Sequence, residues 1–229
     1  MEEETLAYLI HRIELTPIKT HPYFYFHVEQ IFPDAFYREL IENIPDTSYF
    51  SQFEAYPQRS SIALTKESLE KLPFSCFLFW YKFATSIETL NFTNAIFKRF
   101  QSPLRERFGE DLSKVKIGAD ISLVCDQPGY SIGPHTDHPS KILTLLFYLP
   151  ISHDQKHLGT SIYTPKDRSI KYSGHKHHSF KDFDKSFTIP FVPNSVFGFS
   201  RSDDSFHGVE PINQQEKERI SLCYTLWEQ

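Results

Sequence analysis

The chain has 229 residues, a formal net charge of −5 and a pI near 6.1. That balance offers no overall attraction to nucleic acid, whose binding normally shows as a basic face. A hydrophobic share of 40%, with 22 Phe and 12 Tyr, excludes a disordered chain and supplies an aromatic core. No apolar run is long enough to cross a bilayer, and the start Met1-Glu2-Glu3-Glu4 has the wrong charge for a secretory signal. The cysteines Cys76, Cys125 and Cys223 lie far apart, without a Cys-x-x-Cys pair. This usage fits a reducing, cytoplasmic location and no membrane or disulfide framework.

In chain order, residues 23–28 are β-prone and aromatic. Pro33 then opens a helix to Ile44 with an apolar stripe of Phe36, Tyr37, Leu40, Ile41 and Ile44, and Pro45 ends it. The Ser- and Pro-containing passage 46–61 reads as a loop. Two further helices are predicted, about 75–90 and 93–108, with Gly109 as the stop of the latter. Trp80, Phe83, Phe97 and Phe100 are spaced as packing residues on their faces.

Beyond Lys116 the helical period gives way to short β-prone runs: 117–124, 131–137, 142–149, 160–164, 187–192, 195–200, 206–210 and 220–227. Gly129, Pro150, Pro193-Asn194 and Pro211 punctuate them. The predicted class is α+β: a single domain 1–229 with mainly helical support over 1–115 and a jelly-roll, cupin-like double-stranded β-helix over 116–229. The Lys- and His-rich passage 165–186 reads as a loop insertion. Its His175, His177 and His178 lack the ligand spacing of a second metal site and fit a substrate-facing loop better.

Chemistry concentrates in Gly133-Pro134-His135-Thr136-Asp137, answered by Phe206-His207-Gly208 and by Arg219-Ile220-Ser221. On an extended strand, side chains two apart share a face, so His135 and Asp137 can reach one ion, with His207 completing the set. Two imidazoles and a carboxylate on one octahedral face suit Fe(II) with open positions, whereas structural zinc prefers four closed ligands. Asp137 also reads as a turn residue before His138-Pro139, His207 as a surface histidine after Asp203-Asp204, and His138 and His153 stand as alternative ligands. Arg219 and Ser221 share a strand face, and a guanidinium beside a hydroxyl suits a carboxylate; the alternative is a surface arginine in a charged turn. Thr144 and Tyr130 are further pocket candidates.

Four stretches together resemble the Fe(II)- and 2-oxoglutarate-dependent dioxygenases, in their prolyl 4-hydroxylase-like branch. These are Val124-Cys125-Asp126-Gln127-Pro128-Gly129-Tyr130 leading into Pro134-His135-Thr136-Asp137; Leu143-Thr144-Leu145-Leu146-Phe147-Tyr148-Leu149; Phe206-His207-Gly208-Val209; and Arg219-Ile220-Ser221-Leu222. The resemblance implies that His135, Asp137 and His207 bind Fe(II) and that Arg219, with Tyr148 and Ser221, holds the distal carboxylate of 2-oxoglutarate. It further implies O2 as oxidant, ascorbate as reductant in vitro, and hydroxylation of a peptide side chain or small molecule with release of succinate and CO2. Asp137 favours hydroxylation, since related halogenases carry a small residue there. Cys125 departs from the branch's usual tyrosine, and the spacing from His207 to Arg219 is slightly long. A related nucleic-acid repair group carries a second Arg six positions after the first, where this chain has Thr225, so nucleic acid is not expected as substrate. A metal- or ligand-binding jelly roll without turnover is the alternative function.

Overall fold

The computed structural model describes residues 1–172, 177–211 and 218–229. Before the main strands come α1 (Glu3–Leu15), β1 (Tyr25–Glu29), α2 (Asp34–Glu42), β2 (Ser51–Phe53), β3 (Tyr56–Ala63), α3 (Lys66–Leu69), α4 (Phe74–Ile87), α5 (Leu90–Arg99) and α6 (Gln101–Phe108). The main strands are β4 (Ile117–Asp126), β5 (Ile132–His135), β6 (Lys141–Tyr148), β7 (Ser161–Pro165), β8 (Phe183–Thr188), β9 (Ser195–Ser200), β10 (His207–Val209) and β11 (Arg219–Glu228). None of the described helices is long and apolar enough to cross a membrane.

The strands form two antiparallel sheets, ordered β1-β9-β6-β11-β4-β3-β2 and β5-β10-β7-β8. From β4 onward the chain crosses repeatedly between them, which makes a jelly roll with helices outside it, an α+β fold. Arg219 to Glu228 pairs with β4 along its whole length and with β6 on its other side, so β11 is the spine of the large sheet. Its residues 219, 221 and 223 alternate toward the interior of the roll, while Leu222, Tyr224 and Leu226 join the core shared with the helices.

That core takes Trp80, Phe83 and Ile87 from α4, Phe92 and Ile96 from α5, Leu9 and Ile13 from α1, and Phe147 from β6. Trp80 is fully buried, and its indole N–H donates to the Asn43 carbonyl at 2.6 Å. A second cluster, with Tyr148, Phe197 and Phe199 from one sheet and Ile162 from the other, packs between the sheets.

Several elements differ from the sequence reading. Residues 46–61 are not a loop: β2 and β3 form a hairpin that extends the large sheet beyond β4. The helix expected over 93–108 begins at Leu90, capped by Thr89, and breaks at Phe100, whose ring is fully buried against Phe26 of β1. The strand expected at 187–192 is Phe183–Thr188 instead, because Pro190 and Pro193 deny the later residues ladder donors. Helix α1, with Glu3 and Glu4 in its first turn and Arg12 in its last, completes the set.

Candidate metal and co-substrate site

Strand β5 ends at His135, and β10 pairs with it so that His207 lies directly opposite. The two imidazole rings are 4.5 Å apart, centroid to centroid. Gly208 permits this approach, since a Cβ there would stand 2.6 Å from the Ile132 carbonyl oxygen. Asp137 is two residues past the end of β5, outside the strand, and reaches the same point from the following turn. Among the described residues, His135, Asp137 and His207 are the group able to hold a metal ion, with ligand atoms within 4.8 Å of one another.

Each of the three side chains is aimed by a second contact. The Nδ1 of His135 lies 2.9 Å from the Gly133 carbonyl oxygen, and the Nδ1 of His207 lies 2.9 Å from that of Ser205. Those acceptors place the proton on Nδ1 and leave both Nε2 lone pairs for a metal. Thr144 donates to Asp137 Oδ2 at 2.9 Å, and Lys141 Nζ donates to Oδ1 at 2.9 Å. Oδ1 is also the oxygen nearest His207, with Nε2 at 4.0 Å.

Electrostatics keep the three groups in ligand form. Desolvation lowers the pKa of His135 well below the ordinary value, with His207 adding to the effect, and desolvation also lowers His207. Burial by itself would raise Asp137, but the Lys141 ammonium beside it outweighs this and holds the carboxyl ionised. Neutral imidazoles and a carboxylate are the donor forms a divalent ion requires.

The triad opens into a cavity of about 780 Å³ between the sheets. Arg219 and Ser221 line it from β11, as does Cys223, with Thr144 and Leu146 from β6. Arg219 is buried and anchored: Nε donates to the Leu158 carbonyl at 2.6 Å and Nη1 to Asp126 Oδ2 at 2.7 Å. Its Nη2 makes a longer contact of 3.4 Å with Thr160 Oγ1, and Thr160 also lines the cavity.

Tyr148 is fully buried behind this wall, donating to Thr160 Oγ1 at 2.9 Å, with the Arg219 guanidinium 5.6 Å from its ring centre. Tyr130 is buried under the Arg59 guanidinium, 4.1 Å from its ring centre, and is not part of the cavity lining. Thr144 is committed to Asp137. Cys125 points into the hydrophobic core, where burial pushes its thiol up to about 12, while Val124 and the carboxylate of Asp126 face the site. His138 lies at the cavity rim near Trp227, with Nδ1 accepting from the Ser140 N–H, and His153 is on another surface beside Arg12 and Asn194.

Three groups escaped the sequence reading. Arg59, on the hairpin taken for a loop, clasps Asp126 with bonds of 2.6 and 3.0 Å, so one buried carboxylate lies between two guanidinium groups. Lys141, four positions after Asp137, is the second; a charge pair at that spacing was its only signal. Tyr56 is the third: its hydroxyl is 2.6 Å from His177 Nδ1, joining the hairpin to the 165–186 segment over the triad. The His177 ring is 4.7 Å from that of His135, His178 bonds through its N–H to the Pro134 carbonyl, and His175 lies outside the described residues.

No protein-family model and no curated relative matches the sequence. In structure, the chain is similar to a prolyl-4-hydroxylase from Pseudomonas putida, with a TM-score of 0.54 at 12% identity over 98% of this chain and 100% of that one. The non-heme alpha-ketoglutarate-dependent carbocyclase SnoK from nogalamycin biosynthesis gives 0.53 at 11% identity, over 100% and 84% of the two chains. AviO1 from Streptomyces viridochromogenes gives 0.51 at 10% identity, over 100% and 97%. At such identities the likeness establishes the fold, a jelly roll shared with 2-oxoglutarate-dependent oxygenases.

Proposed function

We propose that the chain is a non-haem Fe(II)- and 2-oxoglutarate-dependent dioxygenase that hydroxylates a small molecule or a peptide side chain. The observation that carries this reading is the convergence of His135, Asp137 and His207 at one end of the cavity with a buried, anchored Arg219 in the same cavity. The donor set suits ferrous iron, which when bound supplies the oxidising chemistry that couples decarboxylation of 2-oxoglutarate to hydroxylation, yielding succinate and CO2.

In this reading His135, Asp137 and His207 hold the metal, and Arg219 with Ser221 receives the distal carboxylate of the co-substrate. A guanidinium fixed at Nε and Nη1 presents its remaining edge without reorganisation. Tyr148 supports that edge from behind, through Thr160. Thr144 orients Asp137, Tyr130 backs Arg59, and the inter-sheet apolar side chains exclude water.

The test is succinate formation by purified chain supplied with Fe(II), O2, ascorbate and 2-oxoglutarate, in parallel with His135→Ala and His207→Ala. Succinate from the wild type alone supports the reading. Equal yields from wild type and both variants, or none from any, would defeat it.

A further inference from the structure

Lys141 carries an ionic role that metal and co-substrate binding leave open. Its ammonium lies 2.9 Å from Asp137 Oδ1 and 5.4 Å from the Trp227 ring centre, and its side chain lines the cavity beside Cys223. Thr144 holds the other oxygen of Asp137, which leaves Oδ1, the oxygen nearest His207, as the one turned toward the metal position. A divalent cation bound there is a like charge beside the Lys141 ammonium and competes for the same oxygen.

Charge accounting sharpens the point. Among the described residues, the ionised side chains that line the cavity or form a salt bridge with a lining side chain are Arg59, Lys141 and Arg219 against Asp126 and Asp137, one positive charge in excess. Asp126 is shared by the two arginines, so the distal carboxylate of 2-oxoglutarate at Arg219 completes that cluster. The metal, Asp137 and the other carboxylate of the co-substrate are balanced as well. The uncompensated cation is then Lys141, within a largely buried wall where an ammonium needs an acceptor.

We propose that Lys141 anchors an anionic group of the primary substrate, a carboxylate or a phosphate, between Trp227 and the metal position. The proposal rests on the dioxygenase reading of the site. It narrows the substrate class to acids, and it makes Lys141 a specificity residue as well as a neighbour of Asp137.

The full chain loaded with Zn(II) and 2-oxoglutarate, which cannot turn over, is titrated by fluorine NMR with trifluoroacetate, with monofluorophosphate, and with neutral trifluoroacetamide. Saturable binding of at least one anion is expected, with its affinity reduced about tenfold or more in Lys141→Met and recovered in Lys141→Arg. The stronger of the two anions identifies carboxylate or phosphate. Calorimetry of 2-oxoglutarate binding to the same samples is expected to show a smaller loss in Lys141→Met than the loss for the anion.

Amide binding as strong as that of the anions, absence of saturable anion binding, or equal anion affinity in wild type and Lys141→Met would overturn the proposal. So would equal losses for anion and co-substrate, which confine Lys141 to orienting Asp137. A wild type that takes up no 2-oxoglutarate with zinc defeats the dioxygenase reading itself, a separate outcome.

Discussion

Replacing Thr144 by Val exchanges one hydroxyl for a methyl group at nearly constant volume, in a side chain that is 3% exposed. The hydroxyl donates to Asp137 Oδ2 at 2.9 Å. A hydrogen bond to a charged group contributes about 1.5–3 kcal/mol. Loss of a partner that orients a metal ligand costs roughly 10–100-fold in affinity, or about 1.4–2.7 kcal/mol, the same range reached from independent observations. Lys141 still holds Oδ1, so the carboxylate is misaimed rather than released. Anaerobic Co(II) titration against a competing chelator should show Thr144→Val weakened by one to two orders of magnitude, and Thr144→Ser within about threefold of wild type. Far-UV circular dichroism confirms that the variants are folded. A Thr144→Val protein that binds Co(II) like the wild type would refute the assignment of Asp137 as a ligand aimed by this hydroxyl.

Asp126→Asn removes the charge that separates the Arg59 and Arg219 guanidinium groups, and should cost roughly 3 kcal/mol in urea unfolding, the lower end for a buried pair because Arg59 is partly exposed; a loss under about 1 kcal/mol would show the cluster to be solvent-screened. Asn194, at a φ of 55°, bonds both the N–H and the carbonyl of Phe32, at 2.9 and 2.8 Å. Asn194→Ala should therefore cost about 3 kcal/mol in the same assay, with Asn194→Gly milder because glycine accepts that backbone. His135 and His207 have folded pKa values below the ordinary one, so below about pH 6.5 the unfolded chain binds more protons. Their stability contribution is complete above that pH and falls as pH drops, by up to about 1.4 kcal/mol per unit for each histidine. Urea titrations of the metal-free chain between pH 7.5 and 5.5 should show this slope, reduced in His207→Gln; a flat profile contradicts it.

How far the sequence carried depended on how local each determinant was. Strand β9 stands where Ser195–Ser200 reads as a strand, because six buried residues between Pro193-Asn194 and the following polar turn leave little choice. Metal-site geometry was only partly written in spacing. The His135 and Asp137 pair was argued from strand alternation, yet Asp137 lies beyond the strand and is aimed by Lys141 and Thr144, four and seven positions later on β6, contacts that the strand period does not encode.

The β2–β3 hairpin escaped because its residues are mostly exposed and polar, without the alternation that marks a half-buried strand. Arg59 went with it, since its partner Asp126 is distant in sequence and meets it only through the register of β3 on β4. Strand β8 is an edge strand with an exposed centre, which hid it in the same way. Helix α1 does carry a pattern, with Leu6, Leu9, Ile10 and Ile13 at helical spacing behind an acidic first turn.

Anaerobic calorimetry of 2-oxoglutarate binding, with and without one equivalent of Fe(II), tests most directly whether the triad and Arg219 form a single site. A shared site predicts one 2-oxoglutarate per chain in the presence of Fe(II), little binding in its absence, and loss of the metal-dependent part in His207→Ala. Equal binding with and without Fe(II), or an unchanged isotherm in His207→Ala, would contradict it.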